Sequence, residues 1–228
     1  MKLAPKLIVF DVDGVLVDVH GSFHKSIVDT VHFFTKKRVT YAEIHQWKNR
    51  SGYNDDWRLT TDWIASLGPA VPYEKVKARF SKFYWGTKAN PGNVRRERWL
   101  ITHQQLDRWS RRAELALFTG RTRRELRHTL EDTHAKNIFR RSITMDDVKE
   151  GKPDPEGLRL LLGGMPGRDA LYLGDNIDDA LSAKRARVPF LGVLPHGTDA
   201  HDARAARLRE LGALKILDRV RDLEKLWE

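Results

Sequence analysis

The stretch KLIVFDVDGVL, residues 6–16, carries the clearest indication of the fold class of this chain. It opens with an unbroken apolar run over residues 7–10, the composition of a strand buried on both faces of a parallel sheet. Two carboxylates, Asp11 and Asp13, follow where that strand ends, and Gly14 then permits a sharp turn. In open α/β sheets, ligands bind at this end of the strands. Because two neighbouring acids repel each other unless a cation, a proton or a basic group compensates, the rest of the chain is expected to supply that compensation.

The bulk composition predicts a folded protein with a sizeable core. The chain has 228 residues, 40% of them hydrophobic, which argues against disorder. Cysteine is absent, so disulfides, thiolate metal sites and a cysteine nucleophile are excluded. No apolar run approaches the roughly 18–20 residues of a membrane span, and the first strand begins too early to leave room for a cleavable signal. We therefore expect a cytoplasmic protein without a membrane segment.

Residues 19–95 carry helical patterns and no strand-like run. Apolar residues at positions 23, 27, 31 and 34 predict a helix from Ser22, and Thr40 with Glu43 forms a capping box that starts a second helix. A connection between a strand and its helix normally has only a few residues. We therefore predict an all-helical domain over 19–95, inserted into an α/β core formed by residues 1–18 and 96–228.

From about residue 100 the pattern alternates between strands and helices. Apolar runs predict strands at 115–118, 142–145, 170–173 and 188–194, with an edge strand at 214–217. Asp154 suits the N-cap and Pro155 the first position of the helix that follows them. This alternation predicts an α/β fold with a doubly wound parallel sheet.

Polar residues follow the predicted strands at three further places. Thr119-Gly120-Arg121 follows the strand at 115–118, and Gly174-Asp175 follows the strand at 170–173, with Asp179 four residues further on. Lys152 opens the loop before a helix. Because the carboxyl ends of parallel strands meet at one sheet edge, these residues are expected to converge with Asp11 and Asp13.

In order, the motifs DVDGV at 11–15, TGR at 119–121, KPDP at 152–155 and GDNIDD at 174–179 resemble the four motifs of the haloacid dehalogenase-like hydrolase superfamily. The chain most resembles the phosphatase branch that carries a helical cap after the first strand, the phosphoglycolate phosphatase-like group. The resemblance covers the whole chain. It implies a Rossmann-like core, with the helical insert as a cap that closes over the site.

The resemblance also implies a mechanism. Asp11 would attack phosphorus and form an aspartyl-phosphate intermediate, while Asp13 would protonate the leaving oxygen and later deprotonate the hydrolytic water. Dehalogenases of the superfamily lack an acid at position 13, so Asp13 indicates phosphoryl transfer. Thr119, the Gly120 amide and Lys152 would bind the phosphoryl oxygens, and Lys152 would also neutralise the nucleophile.

The implied cofactor is Mg²⁺, which prefers oxygen ligands. By resemblance, its ligands would be Asp11, the backbone carbonyl of Asp13 and the side chain of Asp175. Asp179 would either bind the ion directly or contact its ligands without touching the ion, and Asp178 is the less favoured alternative.

Substrate contacts are expected from the polar turn at 48–57 of the insert. Arg50 and Asn54 could bind a carboxylate or hydroxyls of a small substrate, although the turn could equally be a plain interhelical connection with Asp55 or Asp56 as helix cap. Arg121 is expected either to contact phosphate, which we favour, or merely to begin the next helix. A cap of this size favours a small phosphorylated metabolite over a polymer.

Two alternatives stay open. A phosphomutase of the same superfamily would share these motifs. The net charge of +10 and the ten arginines against four acids over residues 95–127 would also suit a nucleic-acid-binding protein, with or without 3′-phosphatase activity. The plainer interpretation of the arginines is a solvated helical surface. His20 and His24 lie four residues apart, but without a third patterned ligand they do not indicate zinc.

Overall fold

A computed structural model of the chain describes residues 4–133, 135–197 and 201–226. Within these residues no helix combines the length and the apolar character needed to cross a membrane. The chain divides into two compact units, one made of residues 1–17 with 99–228 and the other of residues 18–98.

The α/β unit is built on a six-stranded parallel sheet, which confirms the predicted fold class. The strand order is β5-β4-β1-β6-β7-β8, and β1 lies between β4 and β6 with Phe10 opposite Leu117 and Leu173. The sheet strands are β1 (Leu7–Phe10), β4 (Glu114–Phe118), β5 (Arg141–Ile143), β6 (Ala170–Gly174), β7 (Phe190–Val193) and β8 (Ala213–Leu217), and two short strands, β2 (Val17–Asp18) and β3 (Arg98–Trp99), pair separately.

Helices cover the sheet because β1 is apolar on both faces. All four residues of β1 are buried. Leu7 and Val9 share a core cluster with Leu158 and Ala180, whereas the ring of Phe10 stacks on Trp109 at 5.7 Å. The helices of this unit are α5 (His103–Ser110), α6 (Arg123–Asp132), α7 (Glu156–Leu162), α8 (Ile177–Ala186) and α9 (His201–Glu210).

The unit of residues 18–98 is helical. Its helices are α1 (Lys25–Thr35), α2 (Tyr41–Lys48), α3 (Asp56–Ser66) and α4 (Tyr73–Trp85), and a π-helical turn, His20–His24, precedes α1. The predicted capping box of Thr40 and Glu43 is confirmed at the start of α2. The aromatic side chains of the helical unit form much of its core, and the rings of Phe23 and Tyr84, for example, lie 4.4 Å apart between centroids.

Several predicted boundaries differ from the structure by one or two residues, and three of them have a clear local reason. The strand expected at 142–145 ends at Ile143, because Thr144 caps a short 3₁₀ turn. The strand expected from Val188 begins at Phe190, because the Val188 N–H donates to the Ala183 carbonyl instead.

The third correction concerns the start of α7. Pro155 is its N-cap and Glu156 its first residue, so the predicted positions are shifted by one. Asp154 still accepts a hydrogen bond from the Glu156 N–H at 2.8 Å.

Candidate active site

Three neighbouring strands bring the sequence motifs to one edge of the sheet. Asp11, Thr119 and Asp175 each come directly after a strand, at the carboxyl ends of β1, β4 and β6. Since β1 is hydrogen-bonded to both β4 and β6 in parallel, these three ends lie side by side. The convergence expected from the sequence is present.

Lys152 is the centre of the charged cluster. Its Nζ lies 2.8 Å from Asp11 Oδ1 and 2.7 Å from Asp179 Oδ1, and the three side chains are 1%, 5% and 0% exposed. Burial lowers the pKa of the Lys152 ammonium, but the two carboxylates outweigh it, so this pKa lies above its ordinary value. Lys152 therefore stays a cation at neutral pH.

Asp11 lies in a site with an excess of negative charge. Burial raises the pKa of Asp11 well above its ordinary value; Lys152 opposes this rise, whereas the carboxylates of Asp179, Asp13 and Asp175 add to it. Lys152, Arg121 beside Asp13 and Arg204 beside Asp175 supply three cations for these four acids. A further cation at this point would favour the ionised form of Asp11.

The acids are close enough to share that cation. Asp11, Asp175 and Asp179 each offer a carboxylate oxygen, and these oxygens lie within 4.8 Å of one another. Among the described residues this is the group whose spacing suits a metal ion. Clustered carboxylate oxygens are the donors that Mg²⁺ prefers, so the residues fit the implied ion.

Asp179 is already heavily hydrogen-bonded. Its Oδ1 accepts from Lys152 and from the Tyr172 hydroxyl at 2.6 Å, and its Oδ2 accepts from the backbone N–H groups of Asp175 at 3.1 Å and Asn176 at 3.3 Å. Asp178, the less favoured alternative, lies outside the acidic group. The bonds of Asp179 orient Lys152 and the backbone at Asp175.

Sequence reasoning missed Tyr172, because it reads as a core residue of β6. Its ring is fully buried and its hydroxyl donates to Asp179. Burial, followed by the Asp179 carboxylate, raises the pKa of Tyr172 well above its ordinary value, so the hydroxyl stays protonated. An aromatic residue two positions before a glycine-aspartate turn was the available signal.

Arg204 of α9 was also missed. Its Nη2 lies 3.0 Å from the backbone carbonyl oxygen of Asp175 and 3.5 Å from Asp175 Oδ2. Nothing in the local pattern of α9 indicates this contact, because it depends on how the helix packs.

Gly14 allows the loop after β1 to approach the loop after β6 closely. Its φ is +75°, a left-handed value that favours glycine, and a Cβ at this position would lie 2.5 Å from Asp175 Oδ2. The turn after Asp13 thus requires glycine for its conformation and for the space it leaves to Asp175.

Asp13 has a different environment from Asp11. It lies outside the acidic group and pairs with Arg121, whose Nη2 is 2.6 Å from Asp13 Oδ1. The Thr119 hydroxyl accepts a hydrogen bond from the Arg121 backbone N–H at 3.1 Å. Arg121 was favoured as a phosphate contact, but its side chain is fully buried and bound to Asp13.

The predicted substrate residues of the helical unit lie in the connection between α2 and α3. The Arg50 guanidinium lies over the Trp47 ring at 4.7 Å, and Asn54 is half-buried. Asp55 caps α3 by accepting from the Trp57 and Arg58 N–H groups, as the plainer interpretation expected. Binding of substrate by Arg50 and Asn54 stays a prediction.

The arginines of residues 95–127 are spread over several elements and both units. Those with acidic partners include Arg98 with Asp18, Arg108 with Glu224, Arg121 with Asp13 and Arg123 with Asp147. This distribution gives the nucleic-acid interpretation no additional support.

A family model described as a haloacid dehalogenase-like hydrolase matches residues 5–187. The chain belongs to this family. It is therefore a hydrolase, and the resemblance seen in its motifs is confirmed.

Individual relatives are more distant. The chain is 29% identical to an imidazoleglycerol-phosphate dehydratase of Phytophthora nicotianae, over 93% of this chain but only 48% of that protein, so it spans about half of that relative's length. It is 25% identical to phosphoglycolate phosphatase 1 of Pseudomonas aeruginosa, over 96% of this chain and 78% of that protein.

Solved structures share the fold. The crystal structure of a predicted phosphoglycolate phosphatase from Haemophilus somnus superimposes with a TM-score of 0.77, covering 99% of both chains at 19% identity. At this identity the likeness concerns the fold alone.

Proposed function

We propose that this hydrolase is a Mg²⁺-dependent phosphatase that cleaves a small phosphorylated metabolite through an aspartyl-phosphate intermediate. The observation that carries the proposal is the Asp11 carboxylate at the end of the central strand, held by Lys152 at 2.8 Å and flanked by the carboxylates of Asp175 and Asp179. A buried nucleophile beside a fixed cation and a cluster of acids suits attack on an anionic phosphorus centre.

In the first step, an oxygen of Asp11 attacks phosphorus in line as the bond to the leaving oxygen breaks. Lys152 already contacts Asp11 Oδ1, so it offsets charge at the point of attack. Asp13 donates a proton to the leaving oxygen. The Thr119 hydroxyl and the Gly120 N–H would donate to the phosphoryl oxygens.

In the second step, water attacks the phosphorus of the aspartyl-phosphate. Asp13, now ionised, takes the proton of the water, and the bond between phosphorus and the Asp11 oxygen breaks. The products are inorganic phosphate and the free Asp11 carboxylate, with the proton of the water held on Asp13 for the next cycle.

Mg²⁺ would be held by Asp11, Asp175 and the backbone carbonyl of Asp13. Asp179 suits a supporting role, because both of its oxygens already accept hydrogen bonds from protein groups. The bound ion would neutralise charge on the phosphoryl group. The four acids Asp11, Asp13, Asp175 and Asp179 outnumber the three cations that contact them, which supports the presence of the ion.

The helical unit is proposed to act as the cap that selects the substrate. The P. aeruginosa relative is named a phosphoglycolate phosphatase, which supports a small phosphorylated substrate. Arg50 and Asn54 would contact its carboxylate or hydroxyls.

The test is phosphate release from 4-nitrophenyl phosphate and from a panel of phosphorylated metabolites, with and without Mg²⁺. We expect release that requires Mg²⁺ and falls at least about a thousandfold in Asp11→Asn. Asp132→Asn, at an exposed acid of α6, is the matched control and should keep full activity. Unchanged activity in Asp11→Asn would refute the mechanism, and transfer to a second hydroxyl without net release would indicate the phosphomutase.

A further inference from the structure

The ion pair between Arg121 and Asp13 has an unusual geometry for a residue beside a phosphate site. The Arg121 side chain is 0% exposed, whereas the side chain of Asp13 is 25% exposed. Nε and Nη2 of the guanidinium lie 2.8 and 2.6 Å from the same oxygen, Asp13 Oδ1. The arginine is thus enclosed by protein, whereas the Asp13 carboxylate keeps some exposure to solvent.

Hydrogen bonds hold Arg121 at both its backbone and the end of its side chain. Its backbone N–H donates to Thr119 Oγ1 at 3.1 Å, and its carbonyl accepts from the Met145 N–H at 3.1 Å. At the far end of the side chain, Nη1 donates to Thr129 Oγ1 of α6. The guanidinium is therefore anchored independently of Asp13.

Arg121 cannot itself act as the general acid or base. A guanidinium donates hydrogen bonds but has no acceptor and does not lose its proton in proteins. Two charge-assisted bonds to one carboxylate oxygen restrict rotation of that carboxylate. With Oδ1 held, Oδ2 is the oxygen available for proton transfer.

We propose that Arg121 is a positioning residue that holds the Asp13 carboxylate with Oδ2 directed at the leaving oxygen, and that it acts through Asp13 without binding phosphate. This inference rests on the proposed phosphatase function. It replaces the expectation that Arg121 contacts the phosphate.

A series of phosphate monoesters with different leaving groups tests the proposal. A good leaving group such as 4-nitrophenolate departs without protonation, whereas an alkoxide needs the proton of Asp13. The ratio kcat/KM covers the steps up to departure of the leaving group, so slow hydrolysis of the intermediate does not obscure the comparison.

Arg121→Lys keeps the positive charge but loses the pair of hydrogen bonds that the planar guanidinium donates to Asp13 Oδ1. We expect kcat/KM to fall at least about tenfold for an alkyl phosphate and less than about threefold for 4-nitrophenyl phosphate, within the range that general acid catalysis contributes. In Asp13→Asn the loss of kcat/KM for the alkyl phosphate should exceed the loss for 4-nitrophenyl phosphate by an even larger factor. An equal loss for every leaving group would mean a merely structural role and would overturn the proposal.

Thr129→Val keeps the shape of the side chain and removes the distant anchor of the guanidinium. In Thr129→Val, kcat/KM should again fall more for the alkyl phosphate than for 4-nitrophenyl phosphate, but by a smaller factor than in Arg121→Lys. This variant tests the positioning role if Arg121→Lys does not fold. An unchanged dependence on the leaving group in Thr129→Val would then overturn the proposal. Arg123→Gln, at the exposed arginine paired with Asp147, is the control and should leave the dependence unchanged.

Failure of the two proposals can be told apart. If Asp11→Asn keeps wild-type activity, the phosphatase mechanism itself is wrong. If Asp11→Asn is inactive and Asp13→Asn is selective, but Arg121→Lys loses activity uniformly, only the positioning role is wrong.

Discussion

The two compact units hold their candidate functional residues in different ways. In the α/β unit, Asp11, Lys152 and Asp179 are buried and joined by charge-assisted hydrogen bonds of 2.7–2.8 Å. In the helical unit, Arg50 is exposed and Asn54 half-buried, on a connection between two helices. Changing the first set disturbs a buried charge network, whereas changing the second costs little stability. In the proposed function, the chemistry belongs to the buried, hydrogen-bonded residues of the α/β unit and the choice of substrate to the more exposed residues of the helical unit.

The largest effect that would test this contrast is expected from Lys152→Met. The change leaves Asp11 and Asp179 buried without their cation, so the free energy of unfolding should fall by about 3–5 kcal/mol at neutral pH. Activity should fall by about 10²–10³-fold. Urea unfolding and phosphate release measure the two effects.

The control for this change is Lys149→Met, at an exposed lysine three residues away. It should alter neither quantity. Because acid protonates the stranded carboxylates, the stability deficit of Lys152→Met should shrink as the pH falls. A deficit independent of pH would mean that the lysine contributes through packing and not through its charge.

Mg²⁺ should stabilise the α/β unit through the acidic group. At a concentration of 100 times its Kd the ion should add about 2.7 kcal/mol to the free energy of unfolding. Asp175→Asn should weaken Mg²⁺ binding by at least about 10–100-fold. Thermal melts across a Mg²⁺ titration measure both, and an equal stabilisation of wild type and Asp175→Asn would contradict the assignment.

The pH dependence of the metal-free protein provides a second check on the acidic group. The pKa of Asp11 is raised in the fold from an ordinary value of 3.8. In the window above 3.8 the folded protein therefore holds a proton that the unfolded chain has released, so this group's contribution to stability is lost as the pH rises. Stabilisation by Mg²⁺ should accordingly grow with pH across that window.

Much of this site follows from short sequence patterns. The run at 7–10 and the glycine at position 14 predicted a buried strand followed by a tight turn, and strand-end residues such as Asp175 were expected at the same edge. Local patterns suffice there because parallel strands end together.

Other features depend on packing between elements that are distant in the sequence. The hydroxyl of Tyr172 reaches Asp179, Arg204 reaches Asp175 from the last long helix, and Arg121 faces Asp13. The local sequence around each of these residues does not indicate that its side chain reaches the site. Only the side-chain geometry of the folded sheet edge identifies their partners.

A smaller effect, about tenfold on activity, is expected from Gly14→Ala. The new Cβ would lie 2.5 Å from Asp175 Oδ2, and displacement of a catalytic group by a fraction of an ångström is costly. Gly164→Ala is the matched control, because Gly164 also has a positive φ, +91°, but open space around its Cβ position. Both variants should lose stability, and an equal loss of activity in both would show that the contact with Asp175 is unimportant.

The smallest effect is expected in the helical unit. Arg50→Ala should raise KM for the preferred metabolite about two- to fivefold, the range of an exposed charged contact. It should leave kcat for 4-nitrophenyl phosphate unchanged, since that ester lacks the groups Arg50 would recognise. Arg38→Ala, at another exposed arginine of this unit, is the control; a matching change there would remove the substrate role from Arg50.

The role of Asp11 as nucleophile is tested most sharply by locating the phosphoryl group during turnover. The enzyme would be mixed with substrate and Mg²⁺, quenched in acid within the first turnover, digested and analysed by mass spectrometry. We expect a phosphoryl group on the Asp11 side chain, absent when Asp11→Asn is treated in the same way. Phosphate release accompanied by a phosphoryl group on another residue, or by none on Asp11 in a quench fast enough to capture the first turnover, would contradict it.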